Sequence, residues 1–242
     1  MGSKINFVVP TGNFGNILAC YYAAKTGLPV HKIICATNDN NVVSDFMATG
    51  VYNSKRPFLL TISPAMDILI SSNLERLLYD VSGNDAASVT ADLEDLKVSG
   101  VYSVDKKTIN NINLIFWSSF ANQAECRATI QNVYQEFHYL IDPHTAVGID
   151  VYDKYVISTG DTSPTVAVST ASPFKFNKTV AEALFGTEAA AGKSEFEILE
   201  ELSQKAGTEI PAPLRNLDRK PVLHDKICDI SGMKSAVDAF LR

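Results

Sequence analysis

With 242 residues, 46% of them hydrophobic and 20% charged, the chain has an ordinary globular composition and ample length for a buried core. A net charge of −6 argues against nucleic acid or an anionic membrane as the main partner, while still admitting a local positive cup for a small anion. No apolar run reaches the length of a membrane span and no signal-peptide pattern opens the sequence, so the expected location is cytoplasmic.

Residues 5–9 form a short apolar run, read as a buried strand that stops at Pro10. The loop Pro10-Thr11-Gly12-Asn13-Phe14-Gly15-Asn16 follows, and Ile17-Leu18-Ala19-Cys20 then enters a helix running to about residue 26. Strand, glycine-rich loop and helix start together make an anion site. Glycine lets the backbone come close, and unpaired N–H groups sit at the positive end of the helix dipole. Read from spacing alone, the loop is either such a phosphate cup or a structural glycine turn. Asn16 doubles as a candidate N-cap, and Phe14 is expected to wedge against the sheet.

A second strand is expected over residues 32–36. Asn40 or Asn41 then starts a helix through Val42, Val43, Phe46 and Met47, which Gly50 stops. This strand–helix alternation implies a parallel sheet, with the loop at a strand's carboxyl end where open α/β sheets place ligands. From Ser72 the chain turns largely helical. Ser72-Asn73-Leu74-Glu75 fits a capping box, residues 90–97 form a short helix, and Asn122-Gln123-Ala124-Glu125 caps another. Asp142 before Pro143 reads as an N-cap with proline at the first helical position. Residues 165–169 return to the sheet as a strand. A helix over residues 194–206 follows with a Ser194…Glu197 box and Gly207 as its stop, then an extended Ile210-Pro211-Ala212-Pro213 linker and a last helix near residues 233–241. The four cysteines and four histidines show no metal spacing, and no metal site is expected.

Five ordered blocks carry a family resemblance. Pro10-Thr11-Gly12-Asn13-Phe14-Gly15-Asn16, Ile34-Cys35-Ala36-Thr37-Asn38, the eight residues from Ser71 to Leu78, Asp142-Pro143-His144-Thr145-Ala146-Val147-Gly148, and Ser169-Thr170-Ala171-Ser172-Pro173-Phe174-Lys175-Phe176 resemble threonine synthase, a pyridoxal 5'-phosphate enzyme of fold type II. The resemblance implies an α/β fold with an open, mostly parallel sheet flanked by helices, ending in helical segments. It also implies a partial cofactor domain over residues 1–190 with a helical segment, 191–242, packed on it. Gly12, Asn13, Phe14, Gly15 and Asn16 would bind the cofactor phosphate, and Thr170 would face the pyridine nitrogen. The bland alternative for Thr170 is a strand-end hydroxyl bonded to local backbone. Ser72, Asn73, Arg76 and His144 are weaker candidates, better read as structural.

One departure matters. The family's Schiff-base lysine lies in a Phe-Lys-Asp context upstream of the phosphate loop, and no Phe-Lys-Asp occurs here. Lys175 belongs to a different, downstream block and is not that nucleophile. The sequence therefore looks like the C-terminal half of a carbon–oxygen lyase acting on O-phospho-L-homoserine, without a catalytic residue of its own and inactive alone. The alternative is a non-catalytic phosphate-binding or degenerate α/β module. The expected partners are the small-molecule substrate and the missing N-terminal half of the enzyme. An apolar patch along residues 5–9 and 165–169, with self-association of the isolated chain, is expected where that half would dock.

Overall fold

The computed structural model describes residues 2–241. They fall in two compact units, Met1–Glu209 and Ile210–Arg242. In the first unit, β1 (Ile5–Pro10), α1 (Gly15–Lys25), β2 (Val30–Thr37) and α2 (Val42–Thr49) follow one another as the alternating pattern predicts. Next come β3 (Val51–Asn53), α3 (Leu74–Val81), α4 (Ala86–Ser99), β4 (Val101–Ser103), α5 (Lys106–Ile115) and β5 (Phe116–Phe120). The unit closes with α6 (Gln123–Phe137), α7 (Pro143–Thr159), β6 (Thr165–Ala167), α8 (Asn177–Phe185) and α9 (Glu195–Ala206).

The four-stranded sheet runs β5-β2-β1-β6, and every pairing in it is parallel. Val8 lies beside Ile34 and Val9 beside Cys35, while Phe7 meets Val166 on the other side. Strand side chains alternate between faces. Val9, Ile33, Cys35 and Phe116 therefore join Ile17, Leu18 and Tyr21 of α1 and Phe46 of α2 in the main core. Pro10, Val8 and Trp117 meet α7 on the opposite face. A Cβ on Gly148 would stand 3.3 Å from Pro10 Cγ, so glycine sets the close helix–sheet approach. Trp117 packs edge-on against Tyr155 at 5.2 Å. The result is an α/β fold with a parallel sheet flanked by helices. The short antiparallel pair β3–β4 stands apart and buries Tyr52 and Tyr102 stacked at 5.1 Å.

Three sequence expectations change. Ser72 does not cap α3. The helix starts at Leu74 with Asn73 at the N-cap and no side-chain cap bond, because Ser72 hydrogen-bonds the glycine loop instead. Asn16 does not cap α1, whose N-cap is Phe14 in the left-handed conformation (φ 64°). The expected apolar patch does not run along β1. Val8 and Val9 are buried between neighbouring strands, and it is the edge strand β6 that exposes apolar side chains, Val166 and Ala167. The boxes at Asn122 and Ser194 form as read.

The break between units falls after Glu209, and within the first unit Ile198 of α9 clusters with Ala181 of α8 and with Ala190 of the segment that joins the two helices. The second unit holds turns, two short 3-10 segments and α10 (Met233–Phe240). Among the described residues, no helix is long and apolar enough to cross a membrane.

Candidate functional site

At the carboxyl end of β1 the chain leaves the sheet and enters α1 through the glycine loop. Thr11 N–H donates to Ala36 O (2.7 Å) and so ties the exit of β1 to β2. Gly12 passes beneath residues 65 and 66. A Cβ there would lie 2.9 Å from both Ala65 O and Met66 Cα, which are backbone atoms that cannot swing aside. Phe14 is buried, with its ring 6.1 Å from that of Phe116 on β5. The phenyl group anchors a residue whose backbone is otherwise unfavourable for a side chain.

The carbonyls of this loop are occupied. Ser71 Oγ donates to Gly12 O (2.9 Å) and Asn73 Nδ2 to Asn13 O (2.7 Å). Asn13 Oδ1 accepts from both Ser72 N–H (2.7 Å) and Ser72 Oγ (2.8 Å). The amides are not occupied. Among the described residues, the N–H groups of Gly12, Asn13, Phe14, Gly15, Asn16 and Ile17 donate to no protein acceptor, and no side chain caps α1. Helix geometry aims the first-turn N–H groups outward along the axis, where the dipole is positive.

These residues line a cavity of about 360 Å³, together with Ala65, Met66, Asn73, His144, Thr170, Ala171, Lys175 and Phe176. All six sequence-predicted site residues, Gly12, Asn13, Phe14, Gly15, Asn16 and Thr170, thus border one space. Thr170 follows β6 on an exposed stretch, and its hydroxyl has no hydrogen-bond partner among the described residues. Among the described residues, no aspartate or glutamate lines the cavity.

His144 contributes a rigid edge at the start of α7. Asp142 caps that helix, its Oδ1 accepting from His144 N–H (2.9 Å) and from the ring at Nδ1 (2.8 Å). Thr145 Oγ1 donates to Asp142 Oδ2. Ala65 N–H donates to His144 Nε2 (3.1 Å); a backbone amide can only donate, so Nε2 is unprotonated and Nδ1 carries the proton. Burial works to raise the Asp142 carboxyl, but hydrogen bonds from His144 and Thr145 outweigh it and hold the group below its ordinary range.

The loop bearing Ala65 and Met66 went unread in the sequence. It is fixed by Asp67, whose Oδ1 accepts from Asn38 Nδ2 (2.8 Å), Asn40 Nδ2 (2.9 Å) and Thr61 Oγ1 (2.7 Å) and whose Oδ2 accepts from Thr61 N–H (2.8 Å). Thr61 is six residues from Asp67, but the two asparagine donors sit 27 and 29 residues away, just past the end of β2, where no local signal announces them.

Residues 145–233 match the family model described as threonine synthase, C-terminal. The chain is 41% identical over 197 residues to threonine synthase of Saccharomyces cerevisiae, covering 76% of this chain and 38% of that protein. It is 38% identical over 184 residues to human threonine synthase-like 1, covering 76% of this chain and 24% of the relative. Among solved structures, it superposes on pyridoxal-phosphate-bound threonine synthase from Brucella melitensis with a TM-score of 0.80 at 35% identity, over 99% of this chain and 47% of that one. The yeast threonine synthase structure gives a TM-score of 0.82 at 35% identity, over 98% and 47%. The chain spans less than half the length of these relatives. It belongs to the threonine synthase family and corresponds to the C-terminal portion of its members.

Proposed function

We propose that this chain supplies the cofactor-phosphate side of a threonine synthase active site, converting O-phospho-L-homoserine and water into L-threonine and phosphate when completed by an N-terminal half. The observation that carries this reading is the run of six unpartnered amides, Gly12 to Ile17, on the same cavity as the Thr170 hydroxyl. That donor set fits pyridoxal 5'-phosphate. Amides at a helix start suit its phosphate, and a neutral hydroxyl suits its ring nitrogen without holding that nitrogen protonated. When bound, pyridoxal phosphate supplies the electron sink for removing protons beside the substrate's amino-bearing carbon.

In this reading Gly12, Asn13, Phe14, Gly15 and Asn16 hold the phosphate, and Thr170 orients the ring. His144, fixed as a neutral imidazole, and Phe176, 4.7 Å from it, shield one wall from water. Proton transfer at the substrate requires the family's lysine, and no Phe-Lys-Asp occurs in these 242 residues. We expect the chain alone to bind the cofactor without turnover. Purified chain mixed with pyridoxal phosphate and O-phospho-L-homoserine should release no phosphate above a protein-free control. It should also bind pyridoxal phosphate at least about tenfold more tightly than pyridoxal, since the phosphate carries the contact. Sustained phosphate release would overturn the expected inactivity, and equal affinities would overturn the role of the loop.

A further inference from the structure

Lys175 borders the cavity, yet the cofactor reading leaves it without a task. Its backbone is held in the 3-10 turn Pro173–Phe176, where Phe174 N–H donates to Ser172 Oγ (3.3 Å) and Lys175 N–H to Ser172 O (3.0 Å). Phe174 is buried beneath it. The ammonium lies 5.6 Å from the centre of the Phe176 ring, within cation–π range, and that ring also lines the cavity.

Several cations of the chain face carboxylates, as Lys25 meets Asp80, Arg56 meets Asp45, and Lys154 meets both Glu125 and Asp150, whereas others, such as Lys32 with the carbonyls of Asn113 and Leu114, do not. Lys175 has no carboxylate partner among the described residues, and it borders a cavity lined by none. An exposed lysine on a convex surface is adequately explained by hydration. One beside a concave, carboxylate-free space that already ends in a positive helix terminus concentrates positive charge where the rest of the chain is acidic.

We propose that Lys175 is a second anion-recognition point in this cavity, pairing with an oxyanion of the amino-acid substrate while the glycine loop holds that of the cofactor. The proposal rests on the cofactor reading above. A helix terminus presents only about half a unit of positive charge. Two oxyanions sharing a cavity of about 360 Å³ repel each other, and a full cation beside the second offsets that repulsion. As a compact point charge, an ammonium accepts a phosphomonoester or a carboxylate alike.

The test uses the 242-residue chain as wild type, K175A and K175R, with inorganic phosphate titrated in the presence and absence of saturating pyridoxal phosphate. Cofactor affinity should change less than about twofold in K175A, because the loop holds the cofactor. Phosphate affinity of the cofactor-loaded chain should fall about tenfold in K175A and largely return in K175R. Unchanged phosphate affinity in loaded K175A would overturn the proposal. So would a joint loss of cofactor and phosphate binding that K175R does not rescue. If wild type binds no cofactor, the cofactor reading fails and the cofactor-free titration decides Lys175 separately. Two phosphates in wild type against one in K175A would support it, and equal stoichiometry would overturn it.

Discussion

Helices α1 and α7 both begin at the cavity, and they treat their first turns in opposite ways. At α7 the polar groups are spent within the chain: Asp142 Oδ1 takes the His144 N–H, and its carboxylate also engages the imidazole and the Thr145 hydroxyl. At α1 the residue in the capping position is Phe14, which has nothing to donate or accept through its side chain. An ordinary N-cap side chain contributes about 1 kcal/mol, so the bare start of α1 is a local deficit. The carbonyls of the same loop are tied down by Ser71 and Asn73, so the deficit is confined to the amides. One helix start is built to hold a shape. The other is left short of acceptors, which an incoming phosphate would supply.

Removing the cap from α7 should have the larger effect. D142N replaces an acceptor-only carboxylate with a group whose amide faces the donors of His144 and Thr145. It should cost about 2–3 kcal/mol at neutral pH through a weakened cap and unsatisfied buried donors. The pH dependence follows from the depressed carboxyl. The folded group titrates below its ordinary value of 3.8, so its contribution is complete above that value and disappears as pH falls through the folded pKa. Urea unfolding of wild type and D142N at pH 7 and again near pH 3 should show the difference shrinking at the lower pH. A constant difference would mean that the charge of Asp142 is not what stabilises the α7 start.

Adding a charge to α1 should act more weakly on stability and in the opposite direction. Gly15 has room, because a Cβ would meet only Asn73 Nδ2 at an ordinary 3.6 Å. G15D places a carboxylate in the first turn and should stabilise the chain by about 0.5 kcal/mol. The same carboxylate would occupy and repel the anion position, so affinity for pyridoxal phosphate should fall at least about tenfold. Thermal denaturation and cofactor titration on one preparation test both signs. If G15D both destabilises the chain and spares cofactor binding, α1 is not an anion-receiving terminus.

The strand–loop–helix unit from Ile5 to Lys25 was legible in the sequence because its signals are local: an apolar run, proline, two glycines, then helix formers. Asn122, Asp142 and Ser194 were legible for the same reason, each cap lying within three residues of the amide it serves. Ser72 misled because its hydroxyl had two partners to choose between. Glu75 is three residues away and Asn13 is 59 residues away, and the distant one won because α1 and α3 are packed into one core. β5 and the β3–β4 pair were not legible. Phe116–Phe120 becomes a strand only through its pairing with β2, and three-residue strands carry too little periodicity to register. The resemblance to a family supplied Thr170, whose place on the cavity depends on β6 pairing with β1 across more than 150 residues.

The central claim is that the free amides of the α1 start are the phosphate-receiving surface. Backbone amide NMR of the isotope-labelled chain tests it directly, by titration with pyridoxal phosphate and separately with inorganic phosphate. The N–H resonances of Gly12, Asn13, Phe14, Gly15 and Asn16 should show the largest shifts with both ligands, while those of His144 and Thr145, already bonded to Asp142, move little. If the loop amides stay still while saturable shifts gather elsewhere, the deficit at α1 is structural and the account is wrong.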